Sequence, residues 1–463
     1  MKKGLSALIL AAGKGTRFKS DKIKVLHTLL GKPMLQFVVD SIQGLKPDRI
    51  HVVVGYQKDL VQKSLAGENI HFIFQERQLG TAHAVQSAGT VLKSEIGRDL
   101  LVMNGDLPLI RSETLKPLIR IHKAKGNSLT FLTTDLDDPT GFGRVMLTED
   151  GTYRIVEEKD ASAVQRKEKE INVGIYVFQI KDLFEGLALV SNKNKKGEFY
   201  LTDMIEILSR SGKKVGKHKT GNTEEIVGVN DRYELARAIE ILRSRKIKLL
   251  TERGVSVYDP GSTWIDADVK IGRDTVIYPS VILEGDSVIG THCTLYPHVH
   301  VIDSRVGKRV KLLSSSMIEE SVIHDDARVG PFTHLRPKTI IRQGAKVGNF
   351  VEMKNTDFGR GSKAGHLSYL GDANIKEDVN IGAGTITCNY DGLRKSRTKI
   401  EAGAFIGSGT ELVAPVTIGK NAYVGAGSTI TKDVSPDALA VSRSRQEEKA
   451  GWAKRKRKKQ CVE

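Results

Sequence analysis

From Phe405 to Ile430 the chain reads FIGSGTELVAPVTIGKNAYVGAGSTI. An aliphatic residue precedes glycine at Ile406-Gly407, Ile418-Gly419 and Val424-Gly425, at separations that are multiples of six. Further back the same step recurs at Ile271-Gly272, Ile289-Gly290, Val306-Gly307, Val329-Gly330, Val347-Gly348 and Ile381-Gly382. A hexad register over Val269–Val434 predicts a parallel β-helix, in which each rung points an aliphatic side chain inward and a small residue lets the chain turn. One coil cannot bury its own aliphatic residues, so stacked neighbours must supply the core. The register breaks at Lys354–Asp372 (KNTDFGRGSKAGHLSYLGD) and Cys388–Lys399 (CNYDGLRKSRTK). Both breaks are expected to project as loops that carry binding groups.

Upstream the pattern changes. Leu5–Ala12 is a continuous apolar run, as expected of a parallel strand buried on both faces. It leads into Gly13-Lys14-Gly15-Thr16-Arg17, where glycines let backbone N–H groups approach an anion and Lys14 and Arg17 add positive charge. The loop is neither a Walker A motif nor a full dinucleotide fingerprint. Pro33–Ile42 reads as a helix, Arg49–Val54 as a strand, Thr81–Leu92 as a helix after a turn at Gly80, and Asp99–Met103 as a strand ending in Asn104-Gly105-Asp106. Ser112 is expected to cap the next helix. Such alternation predicts a doubly wound α/β sheet with ligands at the carboxyl ends of its strands, where Gly13–Arg17 and Asp106 would lie. Asp106 suits Mg²⁺, which on a nucleotide takes only one or two protein groups. Asn230 or Asp231 is expected to cap a helix to about Leu250, apolar along Leu235, Ala238, Ile239 and Leu242. The expected organisation is a doubly wound α/β domain over 1–229, a linker helix over 230–252, a β-helix over 253–445 and a basic tail over 446–463.

Composition narrows the class. At 463 residues, 39% hydrophobic and 27% charged, two domains with ample core are expected. No run approaches the roughly 18 apolar residues of a membrane span. The opening MKKGLSALILAAGKGTR imitates a leader peptide, but its apolar run ends in a glycine-rich loop and is read as a strand. Cys293, Cys388 and Cys461 are scattered, which argues against a disulfide framework or zinc site and suits a reducing cytoplasm. Net charge is +17, with six consecutive basic residues from Lys454 to Lys459. With no nucleic-acid module and only 6% aromatic residues, a solvated tail and pockets for polyanionic small molecules are preferred over specific nucleic-acid binding.

Several motifs occur together and in order. They are LAAGKGTR at 10–17, KVLH at 24–27, QERQLGTAH at 75–83, GDLPL at 105–109, TGFGR at 140–144, VEEKD at 156–160 and NVG at 172–174. This set resembles the sugar-nucleotide pyrophosphorylases. Later come PFTHLRP at 331–337, VGNFVEMK at 347–354, KAGHLSYLGD at 363–372 and NIGAGTITCNYDG at 380–392. With these included, nearly the whole chain resembles the bacterial bifunctional N-acetylglucosamine-1-phosphate uridyltransferase / glucosamine-1-phosphate acetyltransferase family.

The resemblance implies left-handed coils and a homotrimer whose acetyl-transfer site lies between neighbouring subunits. It implies acetylation of glucosamine-1-phosphate from acetyl-CoA, then condensation with UTP to UDP-N-acetylglucosamine for cell-wall and lipopolysaccharide precursors. Arg17 and Lys24 would neutralise the triphosphate. Leu10, Gly13, Gln75, Gly80 and Thr81 would hold the nucleotide, and Gly143, Glu157 and Asn172 the acetylated sugar. Asp106 and Asn230 would hold Mg²⁺. Some relatives carry an aromatic residue where Asn104 stands here, which bears on local ribose or sugar contacts. In the second half, Arg336 and Lys354 look like a sugar-phosphate clamp, with Tyr369 and Asn380 on the sugar ring. Ala383, Asn389, Tyr390, Ser408 and Ala426 fall where the family binds acetyl-CoA, and Lys395 and Arg443 could meet its phosphates. The acceptor amine is largely protonated near neutral pH, so a base is required, and the resemblance gives that role to His366. Direct transfer to an amine needs no acyl-cysteine, so Cys388 is read as structural. A pyrophosphorylase whose β-helix only oligomerises is the alternative.

Overall fold

The computed structural model describes residues 4–460, and the chain divides into two compact units between Arg245 and Lys246. In the first unit the strands are β1 (Leu5–Leu10), β2 (Arg49–Val54), β3 (Ile70–Phe74), β4 (Asp99–Asn104), β5 (Leu129–Asp135), β6 (Arg144–Leu147), β7 (Tyr153–Val156), β8 (Glu170–Gln179) and β9 (Val215–Lys219). Their order in the sheet is β9-β5-β8-β4-β1-β2-β3, with β6 and β7 joined through β8. Strands β1 to β4 run parallel, whereas β8 is antiparallel to both β4 and β5. Apolar clusters cover both faces, which is why β1 reads as unbroken hydrophobic sequence. The carboxyl ends of β1 and β4 are tied by the Gly105 N–H, which donates to the Leu10 carbonyl at 2.9 Å. That bond sets the loops at Gly13–Arg17 and Asp106 side by side.

The principal helices are α1 (Met34–Gln43), α2 (Lys58–Ser64), α3 (Thr81–Ser87), α4 (Gly89–Lys93), α5 (Ser112–Lys125), α6 (Ile180–Leu187), α7 (Asp203–Arg210) and α8 (Arg232–Glu252). The helix expected over Thr81–Leu92 is two, separated at Ala88. Ser112 does not cap α5. It is already the first helical residue, and its hydroxyl meets Glu113 Oε1 at 3.1 Å. The exposed donors of that helix start go to buried Glu225, which accepts the Arg111 N–H at 3.1 Å and the Thr114 hydroxyl at 2.6 Å. Asp231 does cap α8, accepting the Glu234 N–H at 2.8 Å. Ala238, Leu235, Ile239 and Leu242 pack with Phe18, Leu29, Met34 and Leu109 of the first unit.

The second unit is a left-handed parallel β-helix with three faces, an exception to the usual right-handed crossover. Most short strands pair with the one 17 or 18 residues later, for example Lys270 with Val288 and Val288 with Arg305. Three hexads make one coil, and coils one residue short account for gaps that are not multiples of six. Ile277, Leu283, Leu295, Val301, Leu312, Ile318, Leu335 and Ile406 are fully buried in one continuous column.

Of the two expected loops only one exists. Lys354–Asp372 contains no insertion: β10 (Lys346–Lys354) and β11 (Lys363–Gly371) pair residue for residue at a separation of 17. His366 therefore lies on a strand, not on a projecting loop as expected, with the chain turning at Leu367, where φ is +43°. The register looked broken because both strands continue round the corner between two faces. Cys388–Lys399 is a true insertion, since Asn374 pairs with Lys399, 25 residues on. The end of the basic tail forms helix α9 (Trp452–Gln460), and Cys461 lies outside the described residues. Among the described residues no helix is long and apolar enough to cross a membrane.

Because each inward aliphatic touches the coils above and below, Ile318→Ala should cost about 2–5 kcal/mol. Phe332→Ala, at a corner where the ring is half exposed, should cost far less. Thermal or denaturant unfolding of the two variants checks the contrast.

Candidate active sites

Two adjoining cavities, about 290 and 320 Å³, open at the carboxyl edge of the first sheet and share Leu10, Thr81, Asn104, Asp106 and Glu198. One is lined by Gly13, Lys24, Gln75 and Gly80, and the other by Gly143, Glu157, Asn172 and Asn230. At their junction the Lys24 ammonium sits 2.6 Å from Asp106 Oδ2 and 3.4 Å from Asn230 Oδ1. Arg17 Nη2 donates to the same Asn230 oxygen at 2.9 Å. The Val229 N–H donates to the Asp106 carbonyl at 2.9 Å, which holds the Gly228–Asp231 turn against the end of β4. The structure thus brings Arg17, Lys24, Asp106 and Asn230 together from four separate segments. A carboxylate and an amide oxygen converging on one ammonium form a cation-attracting pair of hard oxygen donors, which fits Mg²⁺ completed by phosphate and water.

In the cavity lined by Gly13 and Lys24, buried Gln75 bonds His83 Nδ1 at 2.9 Å, which fixes its amide. Gly80 has φ +119°, and a Cβ there would run into the backbone of Phe199. The Thr81 hydroxyl accepts the Leu201 N–H at 3.0 Å, and the Phe199 carbonyl accepts the Ala82 N–H at 2.9 Å. Segment 194–202 is thereby strapped over the start of α3. On the other side the Asn172 amide donates to the Tyr176 hydroxyl at 2.8 Å, and its backbone N–H donates to the Gly143 carbonyl at 2.9 Å. Glu157 is only weakly served: the Thr202 hydroxyl lies 3.4 Å from its Oε1. Burial pushes the Glu157 carboxyl above its ordinary value, partly offset by the charge of Lys196. Burial, then the charges of Glu157 and Glu206, pushes Asp203 up to about 6. Burial first and the surrounding carboxylates next push Tyr200 up to about 12. The strap residues Lys196, Glu198, Tyr200 and Thr202, together with Tyr176, escaped the sequence reading. Their place depends on long-range backbone pairing that no local pattern announces.

The second set falls on the β-helix in two groups. His366 stands at the corner between the first and second faces, where Nδ1 meets Asn349 Oδ1 at 2.5 Å. Ala383, Ser408 and Ala426 follow at the same corner on later coils, linked by N–H bonds from Gly409 to Ala383 and from Gly427 to Ser408. Arg443 reaches this corner and donates to the Ala426 carbonyl at 2.7 Å. Tyr369 lies on the second face, paired with Glu352, and Arg336 and Lys354 are at that face's far end. Arg336 Nη1 donates to Glu352 Oε1 at 2.7 Å, which raises its pKa further. Asn389 starts the insertion beside Asp372 at 2.6 Å, and Tyr390 bridges to Lys395 within it. Asn380 is on the first face, paired with Lys363. Within one chain, then, the second face separates His366 from Arg336 and Lys354. Half-buried Cys388 has its thiol pKa raised by burial, which disfavours a thiolate.

A carboxyl-edge nucleotide cleft followed by a hexapeptide β-helix defines a two-domain sugar-phosphate transferase class. The description "Nucleotidyl transferase" matches residues 6–266, and "Bacterial transferase hexapeptide (six repeats)" matches 397–432. The chain is 48% identical to the bifunctional protein GlmU of Geobacillus sp. (strain WCH70), over 97% of each chain. It is 46% identical to the same-named protein of Caldicellulosiruptor saccharolyticus over 99% of each, and 47% identical to that of Thermotoga maritima over 98% of this chain and all of the relative. The chain belongs to the GlmU family of bifunctional proteins.

Two outcomes follow from the cleft. Gly80→Ala should cost about 1–3 kcal/mol from its glycine-only backbone angles and, by pushing on Phe199, raise KM for nucleotide. Steady-state kinetics and a melting curve check both effects. Asp203 binds its proton more tightly folded than unfolded, so it should make stability fall as pH rises from about 4 to about 6. Asp203→Asn should flatten that part of the stability–pH profile in denaturant titrations across the window, by about 1 kcal/mol once solvent screening of this partly exposed group is allowed for.

Proposed function

We propose that the chain makes UDP-N-acetylglucosamine in two steps on two sites. The β-helix domain, residues 253–445, acetylates glucosamine-1-phosphate from acetyl-CoA. The domain over 1–229 then transfers UMP from UTP to N-acetylglucosamine-1-phosphate and releases pyrophosphate. The observation that carries the reading is the convergence of Lys24, Arg17, Asp106 and Asn230 at the junction of two adjoining cavities.

In uridyl transfer, a sugar-phosphate oxygen attacks the α-phosphorus of UTP and pyrophosphate leaves in line. No protein nucleophile is required, so positioning and charge neutralisation do most of the work. Arg17 and Lys24 neutralise the triphosphate. Leu10, Gly13, Gln75, Gly80 and Thr81 orient the nucleotide, and Gly143, Glu157 and Asn172 hold the acetylated sugar. Asp106 and Asn230 would hold Mg²⁺, which when bound supplies positive charge to the phosphates. Freed from Asp106, the Lys24 ammonium turns to the phosphates as substrate arrives.

In acetyl transfer, His366 takes a proton from the 2-ammonium group, the amine attacks the thioester carbonyl, and the C–S bond breaks so that CoA leaves as its thiol with the second nitrogen proton. The bond Asn349 makes to Nδ1 fixes the ring and leaves Nε2 for that proton. Arg336 grips the sugar phosphate bidentately, Lys354 adds a point charge, and Tyr369 and Asn380 hold the ring. Ala383, Ser408 and Ala426 give the pantetheine arm a smooth corner, with Asn389, Tyr390, Lys395 and Arg443 around the cofactor's polar end. The working unit is a homotrimer, as the family resemblance implies, and the separation of His366 from Arg336 across one face supports a site that a neighbouring subunit completes. UTP and acetyl-CoA as co-substrates fit a cytoplasmic enzyme, with no specific nucleic-acid partner.

The test separates the sites. His366→Ala should abolish sugar-dependent thiol release from acetyl-CoA by at least about 100-fold and leave UMP transfer to N-acetylglucosamine-1-phosphate intact. Lys24→Ala and Asp106→Ala should do the reverse. A wild-type protein that transfers UMP but releases no thiol reduces the β-helix to an oligomerisation scaffold.

A further inference from the structure

Segment 194–202 is a built strap rather than a slack loop. Asn194 accepts the Lys196 and Glu198 N–H groups at 3.1 and 3.2 Å and donates to the Glu198 carbonyl at 2.6 Å. Gly197, at φ +67°, completes the turn. One end of the strap is fixed to α3 through Phe199 and Leu201. The other end is fixed by Lys195, which contacts the Lys159 carbonyl and lies 3.9 Å from Asp160. Between these anchors Lys196 and Glu198 line the cavity that also holds Glu157, Asn172 and Gly143. Lys196 is the one lysine or arginine among the residues lining that cavity.

Its ammonium is 5.8 Å from the centre of the Tyr200 ring, and it makes no ion pair within 4.0 Å among the described residues. Yet its charge is the leading influence that opposes the burial of Glu157. Donor and acceptor thus face the same space without touching. Glu157 itself has one long hydrogen bond, from Thr202 at 3.4 Å. An ammonium and an under-served carboxylate lining one cavity without a direct ion pair are a donor and an acceptor that a single hydroxyl can serve, accepting from one and donating to the other.

We infer that Lys196 is a specificity-determining residue of the sugar subsite: with Glu157 across the cavity, it clasps a ring hydroxyl of the hexose phosphate. The inference rests on the uridyl-transfer reading above. The strap delivers this grip to the subsite while remaining tied to the nucleotide side through Thr81. Lys196 is exposed apart from this role, so its replacement leaves folding undisturbed.

The test uses the full-length protein, UTP, and N-acetylglucosamine-1-phosphate alongside its 3-deoxy, 4-deoxy and 6-deoxy analogues. Lys196→Met should raise KM for the natural sugar phosphate about five- to tenfold, with kcat and KM for UTP changed less than twofold. Lys196→Arg should restore most of the loss. For the one analogue lacking the clasped hydroxyl, wild type and Lys196→Met should have the same KM. An unchanged KM for the natural substrate overturns the proposal and leaves UMP transfer standing. A loss spread equally over all analogues, or over both substrates and kcat, overturns it in favour of a general charge or structural role. A wild-type protein that makes no UDP-N-acetylglucosamine overturns the reading beneath it.

Discussion

The constraint on which the second unit depends is that no coil is stable by itself. Each rung offers the core one aliphatic side chain and must pair both backbone edges with neighbours. That requirement sets the 17- or 18-residue step, and the step decides which side chains meet. Asn349 stands beside His366 because 17 residues make one turn of the prism. Ala383, Ser408 and Ala426 share a corner for the same reason, even though an insertion lies between the first two. Regular stacking thus converts residues far apart in the chain into a smooth wall beside a histidine.

In the first unit the corresponding control is electrostatic. Lys24, Asp106, Arg17 and Asn230 come from four segments and satisfy one another. Such an arrangement stores charge in a cleft without leaving it unpaired. In the proposed uridyl transfer a polyanionic nucleotide would compete for the two cations, and the oxygens of Asp106 and Asn230 would serve a metal ion. The strap over α3 couples the two cavities mechanically, because Gly80 leaves room for the backbone of Phe199 to lie against it.

Much of this was legible before folding was considered. The aliphatic-glycine hexads announced a β-helix, and the unbroken apolar β1 followed by Gly13–Arg17 announced a sheet with an anion-binding edge. Both are local signals, since periodicity and backbone freedom are written residue by residue. The reading went astray where local pattern and tertiary register diverge. Lys354–Asp372 carries no Ile-Gly or Val-Gly step and resembles an insertion, although the strands there are the longest in the β-helix and pair in register. Ser112 has a capping side chain, yet Glu225, more than a hundred residues away, serves that helix start.

The sequence by itself determined the two architectures, the order of the domains and the chemical character of the candidate site residues, because these follow from periodicity, composition and motif. Only the tertiary structure decided which of those residues meet. It joined Lys24 to Asp106 and Asn230, put His366 and Arg336 on opposite sides of one face, and set Lys196 and Glu157 in the lining of one cavity. The physical reason is that such encounters depend on coil length, strand order and long-range backbone pairing, which are properties of the packed chain and of no single segment.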